Sequence, residues 1–178
     1  MIFDTDDLHE TNHRLDLLYQ LKEANPEFKL TAFCVPAYCP DAFLEALPDW
    51  VEVAAHGFHH GGRDCQDPYE AAKWSYSDTM TVLNRLHGRF VPLWKSPGWQ
   101  ISDGTYNALL DRGWAVADQH YNDHRRPAGL KVHCEGDGDH VHTHVQNVCG
   151  NGLEETFSAL LAKVAAADSF QFVSEVVK

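Results

Sequence analysis

The segment Val51-Glu-Val-Ala-Ala-His56-Gly-Phe-His-His60 indicates both the fold and the chemistry of this chain. Its apolar alternation over residues 51–55 predicts a buried strand that delivers His56 at its end. Gly57 then allows the backbone to turn, and His60 follows four residues after His56. Two neutral imidazoles that converge on one point are the usual beginning of a Zn²⁺ or Fe²⁺ site, which also needs a carboxylate or water. Hydrogen-bonded structural histidines are the alternative, so the decision depends on carboxylates elsewhere.

Strand and helix patterns alternate on both sides of this segment, with connections of only a few residues. Such alternation is typical of a parallel α/β sheet or barrel. The first helix has leucines at helical spacing from Leu15 and ends at Asn25-Pro26. The predicted strands cover residues 1–5, 29–35, 51–55, 90–94, 114–118, 130–134, 140–145 and 170–173, and the other predicted helices cover residues 40–47, 68–86, 102–110 and 153–166.

Size and composition predict a single globular domain over residues 1–178. The formal net charge of −12 argues against nucleic acid and anionic membranes as partners, since phosphate groups would be repelled. The sequence shows neither a secretory signal pattern nor an apolar stretch of membrane-spanning length, so the cytoplasm is the expected compartment. Five cysteines without a CxxC pair suggest neither a disulfide framework nor a cysteine zinc site.

The carboxylates that a metal site needs occur at the end of the first predicted strand. Asp6 and Asp7 are adjacent there, and two such carboxylates are costly to hold together unless a cation or a shared proton relieves their repulsion. Alternatively, they are solvated acids that precede a helix cap. A second signal is His140-Val-His-Thr-His144, whose alternation places three imidazoles on one strand face. Each buried ring would need a polar partner, which disfavours plain core packing.

Two further predicted strands end in polar or turn-forming residues. Lys95-Ser-Pro-Gly-Trp99 follows the fourth strand, and Asp118 ends the fifth. In a parallel α/β barrel the carboxyl ends of all strands open on one face, where catalytic residues collect. We therefore expect these residues, the aspartate pair and the histidines to meet at one site.

In this order of motifs the chain resembles the polysaccharide deacetylases, the metal-dependent N-deacetylases of chitin, peptidoglycan and related amino sugars. The Asp-Asp pair is similar to the family's first motif, and His56-x-x-x-His60 is similar to its second, the most specific one. Ser96-Pro97-Gly98 resembles the third motif, Asp118 the fourth, and Val-His-Thr-His144 the fifth. The resemblance covers nearly the whole chain and implies a distorted (β/α) barrel of about seven parallel strands.

The resemblance also implies a role for each residue. One divalent metal ion is expected, with Zn²⁺ favoured and Ni²⁺, Co²⁺ and Fe²⁺ open, and its ligands would be Asp7, His56 and His60. Asp6 would be the general base and His144 the general acid, with His142 as the rival for the acid. Amide hydrolysis needs such a set, because a metal ion activates water while a carboxylate and an imidazole move the protons. Supporting or substrate-binding roles would fall to Lys95, Pro97, Gly98, Trp99 and Asp118.

Three departures from the family pattern leave alternatives open. The family's third motif usually carries an arginine that orients the base, whereas here the nearest cation is Lys95, which lacks the planar fork of a guanidinium. The first motif reads Asp4-Thr-Asp6-Asp7, so a register with Asp4 and Asp6 as the pair, and Asp6 on the metal, is also open. The chain is short and has no export signal, so a soluble substrate, an intracellular glycan precursor or a non-sugar amide fits as well.

The sequence therefore predicts a metal-dependent hydrolase that cleaves a C–N amide bond, with N-deacetylation of an amino sugar or glycan as the favoured reaction. The alternatives are a catalytically inactive barrel that serves as a binding module, an amidase that acts on a non-sugar amide, and a non-haem iron oxygenase. The oxygenase is disfavoured because that chemistry typically occurs in a double-sheet fold. The expected partner is a small molecule or glycan with an N-acyl group, and the oligomeric state is open.

Overall fold

The computed structural model describes residues 1–86, 88–146, 148 and 150–178. Within them, seven parallel strands form one curled half-barrel sheet with the strand order β6-β5-β4-β3-β2-β1-β7. The strands are β1 (Ile2–Leu8), β2 (Leu30–Cys34), β3 (Val51–His56), β4 (Phe90–Lys95), β5 (Ala115–Asp118), β6 (Val132–Cys134) and β7 (His140–His144). The predicted α/β barrel of about seven parallel strands is confirmed.

Six α-helices accompany the described strands. They are α1 (Leu15–Ala24), α2 (Asp41–Ala46), α3 (Tyr76–Leu83), α4 (Asp103–Asp111), α5 (Leu153–Ala165) and α6 (Val173–Val176). Helices α1 and α5 pack against each other, as do α3 and α4. Helices α1 to α4 connect the successive parallel strands from β1 to β5, because a parallel pair needs a crossover rather than a tight turn.

Alternation along the strands separates an outer apolar face from an inner face that carries the ionisable groups. On β1, Phe3 packs in the outer core, whereas Asp4 and Asp6 lie on the inner face beside Lys95. The inner face also holds a small apolar cluster: Ile2, Phe33, Ala54, Leu93, Ala115, Ala117 and Val173. The inner face is therefore mainly apolar towards the strand starts, apart from Glu52, and carries its cluster of ionisable groups where the strands end.

The C-terminal segment covers the apolar end of the half-barrel. Gln171 donates its backbone N–H to Met1 O, at the start of β1. Seven residues later, Lys178 exchanges backbone hydrogen bonds with Val132 of β6. Between them, Val173 packs into the inner apolar cluster and donates its N–H to Thr31 Oγ1. The segment thus spans from β1 to β6 and closes the barrel opposite the strand ends.

The predicted strand over residues 170–173 is wrong. Gln171 forms only an isolated bridge with Ile2, and the chain turns into α6 at Val173. The physical reason is that β1 already pairs with β2 on one side and β7 on the other. A further strand has no free ladder there.

The long helix predicted over residues 68–86 is also wrong, because only its second half is α-helical. Residues Ala71–Lys73 form a short 3₁₀ turn, and α3 begins after Ser75. The Ser75 side chain accepts the Asp78 N–H while Asp78 accepts the Ser75 N–H, a capping box that sets the true helix start. Before this start, Glu70 accepts backbone N–H groups from residues 58–60.

Strands β6 and β7 are the two edges of the sheet, and no backbone ladder joins them in the part of the chain that the structure describes. Side chains bridge this gap instead, because His133 of β6 and His140 of β7 are hydrogen-bonded at 3.1 Å. The sheet is therefore a half-barrel in its backbone, and polar side chains span its open side.

Four cysteines, Cys34, Cys39, Cys65 and Cys134, are free and buried. Cys149 lies outside the described residues. No helix among the described residues combines the length and the apolar character needed to span a bilayer.

Candidate active site

A cavity of about 610 Å³ opens at the carboxyl ends of the strands. It is lined by Asp6, Asp7, His56, His60, Cys65, Gln66, Pro68, Gly98, Trp99, His142, His144, Val148 and Asn151. Residues from β1, β3 and β7, and from the turn after β4, thus converge, as the parallel topology requires. This is the volume of a small-molecule site.

The end of β1 directs two neighbouring carboxylates into this cavity. Asp6 is only 3% exposed and is in register with His144 of β7. Asp7, 2% exposed, has φ 68°, and the ladder to β2 is irregular between Thr5 and Leu8. In a regular strand, successive side chains point to opposite faces. The left-handed residue breaks that alternation, so both carboxylates line the same cavity.

Asp7 faces both histidines of the β3 segment. Its Oδ1 lies 3.5 Å from His56 Nε2 and 3.4 Å from His60 Nε2, and finds no hydrogen-bond partner among the described residues. Tetrahedral Zn²⁺ ligands lie about 3.3 Å apart, given metal–ligand distances near 2.0–2.1 Å. The Nδ1 of His56 lies 3.1 Å from the Lys95 backbone carbonyl, to which it donates when Nε2 is left free for a metal. Asp7 Oδ1 therefore lies at a metal ligand's spacing from each imidazole nitrogen, and the three ligand atoms all lie within 4.8 Å of one another.

Glu70 shapes the loop that brings His60 back to the cavity. Its carboxylate accepts backbone N–H groups from Phe58 at 3.0 Å, His59 at 2.8 Å and His60 at 2.9 Å. The loop begins at Gly57, which has φ 59° and where an added Cβ would lie 2.5 Å from Glu70 Oε2. Glycine is thus required both for the turn and for the close approach of the carboxylate.

Charges around Asp7 favour a cation at this point. Burial, and then the negative charge of Asp6, raise the pKa of Asp7 to about 7. Burial lowers the pKa of His56 to about 3, so this imidazole is neutral at physiological pH. A neutral imidazole and a carboxylate without a counter-ion are the forms that bind divalent metals. The donor set of one carboxylate and two imidazoles therefore fits the divalent metal ion that the sequence predicted.

Lys95 is fully buried and forms ion pairs with three carboxylates. Its Nζ donates to Asp6 at 2.9 Å and Asp4 at 3.4 Å, and pairs with Glu135. Burial alone would lower the pKa of Lys95, but the three negative charges raise it above its usual range. Burial would raise the pKa of Asp6, but Lys95 and the neighbouring imidazoles bring it below its usual value. Asp6 is therefore held in its ionised form.

The two candidate acid histidines differ in their surroundings. The Nδ1 of His142 lies 2.6 Å from Asp4 Oδ1, and its buried Nε2 has no hydrogen-bond partner in the described ranges. Burial and Lys95 would lower the pKa of His142, but Asp4 and Asp6 raise it above its usual value. Burial lowers the pKa of His144 to about 4. The Nε2 atoms lie 3.9 Å (His142) and 4.0 Å (His144) from Asp6 Oδ2.

No protein-family model matches the sequence, and a search of curated proteins finds no match. Two of the solved structures that match cover almost the whole chain. The Xyl-CE4 domain of a multidomain xylanase from the hindgut metagenome of Trinervitermes trinervoides is 13% identical, with a TM-score of 0.59 over 98% of this chain and 87% of that chain. A family 4 acetyl xylan esterase from Clostridium thermocellum, solved with a cobalt ion, is 15% identical, with a TM-score of 0.56 over 98% and 89% of the two chains.

The chain has the polysaccharide-deacetylase fold. Family 4 carbohydrate esterases belong to that superfamily, and the similarity in structure extends over nearly all of the chain at low sequence identity. The fold that the motifs implied is confirmed.

The turn after β4 contributes two of the predicted supporting residues to the cavity of this polysaccharide-deacetylase fold. Gly98 and Trp99 line it, and Trp99 Nε1 is buried without a hydrogen-bond partner in the described chain. The Trp99 ring lies 5.7 Å from the His142 ring and 5.5 Å from Lys95 Nζ. Pro97 packs under Gly57, where an added Cβ would lie 2.9 Å from its Cγ.

Asp118, the predicted fourth motif, anchors a segment that packs against the cavity wall. Its carboxylate accepts hydrogen bonds from Tyr106 at 2.6 Å, Asn122 at 2.8 Å and Arg126 at 2.9 Å. These contacts anchor the polar segment that follows β5, and Asn122 in turn donates to the Trp99 carbonyl. Asp118 therefore supports the cavity indirectly through this segment.

Backbone strain is concentrated at this site. Five non-glycine residues of the described chain have positive φ: Asp7, Arg14, His60, Cys65 and Trp99. All but Arg14 line the cavity. Such conformations cost of order 1–3 kcal/mol each and persist where the surrounding structure enforces them, often at functional sites. The distribution of strain thus supports a functional cavity on grounds separate from the motifs.

Four residues that contact the site were not assigned these contacts by the sequence analysis: Asp4 as a partner of His142, Glu70, Glu135 and His140. Glu70 lay inside a predicted helix, and Glu135, directly after the strand predicted over residues 130–134, was assigned no role. The alternation of β7 did put His140 on the same face as the candidate acids, which was the one available signal.

Proposed function

We propose that this chain is a metal-dependent hydrolase that removes an acyl group, most specifically an acetyl group, from a carbohydrate. The observation that carries the proposal is the set of Asp7, His56 and His60 atoms at metal-ligand spacing beside the ionised Asp6. The similarity to an acetyl xylan esterase supports the carbohydrate class. The sequence motifs favour N-acetyl amides as substrates. The similarity to an esterase adds O-acetyl esters as a second substrate class.

The proposed metal ligands are Asp7, His56 and His60. A divalent cation bound there supplies a Lewis acid that lowers the pKa of a bound water and polarises the acyl carbonyl. Three buried carboxyl groups, those of Asp4, Asp6 and Glu135, pair with one ammonium, that of Lys95, and the buried carboxyl of Asp7 lies beside them outside these pairs. Part of this excess negative charge needs a counter-ion, which favours a divalent cation. Zn²⁺ and Co²⁺ both suit an Asp-His-His donor set.

Asp6 is proposed as the general base. Its Oδ1 is held by Lys95, and its Oδ2 faces the cavity 3.7 Å from His56 Nε2. The carboxylate is thereby oriented with one oxygen free to accept a proton from water, as a general base requires. Lys95 takes the place of the arginine that the family usually carries, and it does so as a point charge rather than a fork.

His142 is proposed as the general acid, in place of His144, which the family position favoured. A general acid needs a proton at working pH, and the pKa of His142 is raised whereas that of His144 falls to about 4. The contact with Asp4 fixes the His142 ring with Nε2 toward the cavity. Its Nε2–H donates to the departing nitrogen or oxygen, and the amine or alcohol leaves neutral.

The acid assignment is tested by comparing His142→Gln with His144→Gln. Loss of the acid should flatten the alkaline limb of the pH–rate profile while metal content stays at one equivalent. We expect this only for His142→Gln. A normal alkaline limb in His142→Gln, with a flattened one in His144→Gln, would return the role to His144.

The function itself is tested by acetate release from Zn²⁺- or Co²⁺-loaded protein. The panel contains acetylated xylan, N-acetylchitooligosaccharides and a non-sugar acetamide, with chelated protein as the control. We expect acetate from at least one carbohydrate and none after chelation. Stoichiometric metal without acetate from any substrate would favour a binding module, and acetate from the acetamide alone would favour a non-sugar amidase.

A further inference from the structure

A continuous chain of side-chain hydrogen bonds runs from the cavity to the open edge of the sheet. It passes from His142 to Asp4 (2.6 Å), from Asp4 to His140 (2.9 Å), and from His140 to His133 (3.1 Å). Asp4 is fully buried, the side chain of His140 is 1% exposed, and His133 is 6% exposed. We call these four residues the histidine chain.

The atoms of the histidine chain fix where its hydrogens lie. Ionised Asp4 can only accept, so His142 Nδ1 and His140 Nε2 must both donate to it. A neutral His140 then has a lone pair on Nδ1, which accepts the N–H of His133 Nε2. His142 is consequently protonated on Nδ1 in either charge state, and Nε2 is the atom whose proton can leave.

Lys95 does not compete for this arrangement. Its Nζ lies 3.2 Å from His142 Nδ1, but an ammonium has three donors and no acceptor. Those three donors have three carboxylate partners, Asp4, Asp6 and Glu135. The nearer partner of His142 Nδ1 is Asp4, at 2.6 Å.

The resemblance to the polysaccharide deacetylases had assigned a supporting carboxylate to Asp118. That carboxylate is engaged by Tyr106, Asn122 and Arg126. Asp4 comes instead from the middle of β1, directly opposite His142 in the ladder to β7. Its carboxylate is contacted by two imidazoles of β7, those of His140 and His142, and His140 in turn contacts His133 of β6, the other edge strand.

We propose that His140 and His133 are positioning residues: they hold Asp4, and through it they hold the acid His142 in one tautomer and one orientation. The same contacts join β6 to β7 across the open side of the half-barrel. The inference rests on the proposed function for its catalytic consequence, but the tautomer it requires is independent of activity. The ionisable groups that face His142 are Asp4, Asp6, Lys95, Glu135 and His144.

The first measurement is the histidine tautomer by ¹⁵N NMR of the whole protein, with and without Zn²⁺. We expect His142 to carry its proton on Nδ1 in the wild type, and His140→Leu to mix the two tautomers. His140→Gln should restore the wild-type signal, because its amide N–H can reach Asp4 where Nε2–H did. A wild-type His142 with a bare Nδ1 would overturn the proposal whether or not the protein is a hydrolase.

The second measurement compares substrates that differ in their need for an acid. With an acetylated sugar, His140→Leu should lower kcat roughly 10- to 100-fold with little change in KM, a part of what a general acid contributes. With 4-nitrophenyl acetate, whose leaving group departs as a stable anion, the rate should stay close to wild type. His140→Gln should recover most of the loss on the sugar.

His120→Leu is the matched control, because it removes an exposed imidazole that is also 2.9 Å from a carboxylate, that of Asp137. It should leave both rates and the His142 tautomer unchanged. Equal losses of His140→Leu on both substrates would show a merely structural role and overturn the proposal. If the wild type has the expected tautomer but releases no acetate from any substrate, the proposed function fails while the positioning of His142 stands.

Discussion

Glu70→Gln tests whether one buried carboxylate shapes the proposed metal loop. In the wild type, Oε2 accepts the N–H groups of Phe58 and His60, and Oε1 accepts that of His59. A carboxylate can accept all three because neither oxygen carries a proton. Glutamine has nearly the same shape, but one of its two terminal atoms is a donor. The substitution therefore sets a donor against at least one backbone N–H.

The cost follows from these contacts. If the amide oxygen takes the place of Oε2, two hydrogen bonds change from charge-assisted to neutral, at about 1 kcal/mol each. The N–H of His59 loses its acceptor, at about 1–3 kcal/mol. The sum is roughly 3–5 kcal/mol, and the loop relieves part of it by moving. Because His60 belongs to this loop, we expect metal affinity to fall roughly 10- to 100-fold, as for other groups that orient metal ligands.

The assay is competition for Zn²⁺ against a chromophoric chelator near neutral pH. The matched control is Glu52→Gln, since both glutamates are 9% exposed and both accept hydrogen bonds from the surrounding chain. Glu52 contacts Thr31 and Ser174 on the inner face of β3 and holds the C-terminal segment rather than the metal loop. Glu52→Gln should bind Zn²⁺ like the wild type. Wild-type Zn²⁺ affinity in Glu70→Gln would refute the reasoning about the loop.

Three further predictions concern the same site. Asp6→Asn should keep one equivalent of metal, measured by elemental analysis, while acetate release falls about 10²- to 10⁴-fold. If Asp6→Asn lost the metal and Asp7→Asn kept it, Asp6 would be the ligand and Asp7 the base. In metal-free protein, the folded-state pKa of Asp7, about 7, lies above its unfolded value of 3.8, so folding takes up a proton and stability falls as pH rises from about 4 to about 7. Urea denaturation across this window should show a loss of up to about 4 kcal/mol that Asp7→Asn lacks; equal pH dependence in both proteins would contradict it. Gly57→Ala should weaken Zn²⁺ binding and lower Tm more than Gly113→Ala, because both glycines have positive φ but only at Gly57 would a Cβ meet another residue; equal effects would assign the loss to backbone strain alone.

Much of this architecture follows from local sequence patterns. The β3 segment is predicted by apolar alternation, and α4 by Ser102, whose side chain does accept the Thr105 N–H at the helix start. The inward face of β7 follows from the period of two, and His142 and His144 both line the cavity. Because parallel strands end on one face, strand-end residues far apart in sequence could be expected to meet.

Other features depend on contacts between segments that are distant in the sequence, and local patterns do not predict such contacts. Asp7 and His60 occupy left-handed conformations, which are uncommon for any residue except glycine, so tertiary contacts must hold them there. Glu70 binds the backbone of a loop that lies about ten residues earlier in the chain. No helix forms at Glu70, although periodicity predicted one over residues 68–86. The segment 170–173 has strand composition, yet β1 already has both neighbours.

The choice between the two histidines shows the division most clearly. The sequence determined that His142 and His144 share one face of a strand. The two residues have the same type, strand and period, so the pattern alone does not distinguish them. Only the tertiary structure decided that Asp4 lies 2.6 Å from one of them, with Lys95 beside it. Protonation is set by the charges and burial around a ring. For His142 the charges come from β1, from β4 and from Glu135 directly after β6, which only the folded sheet brings together.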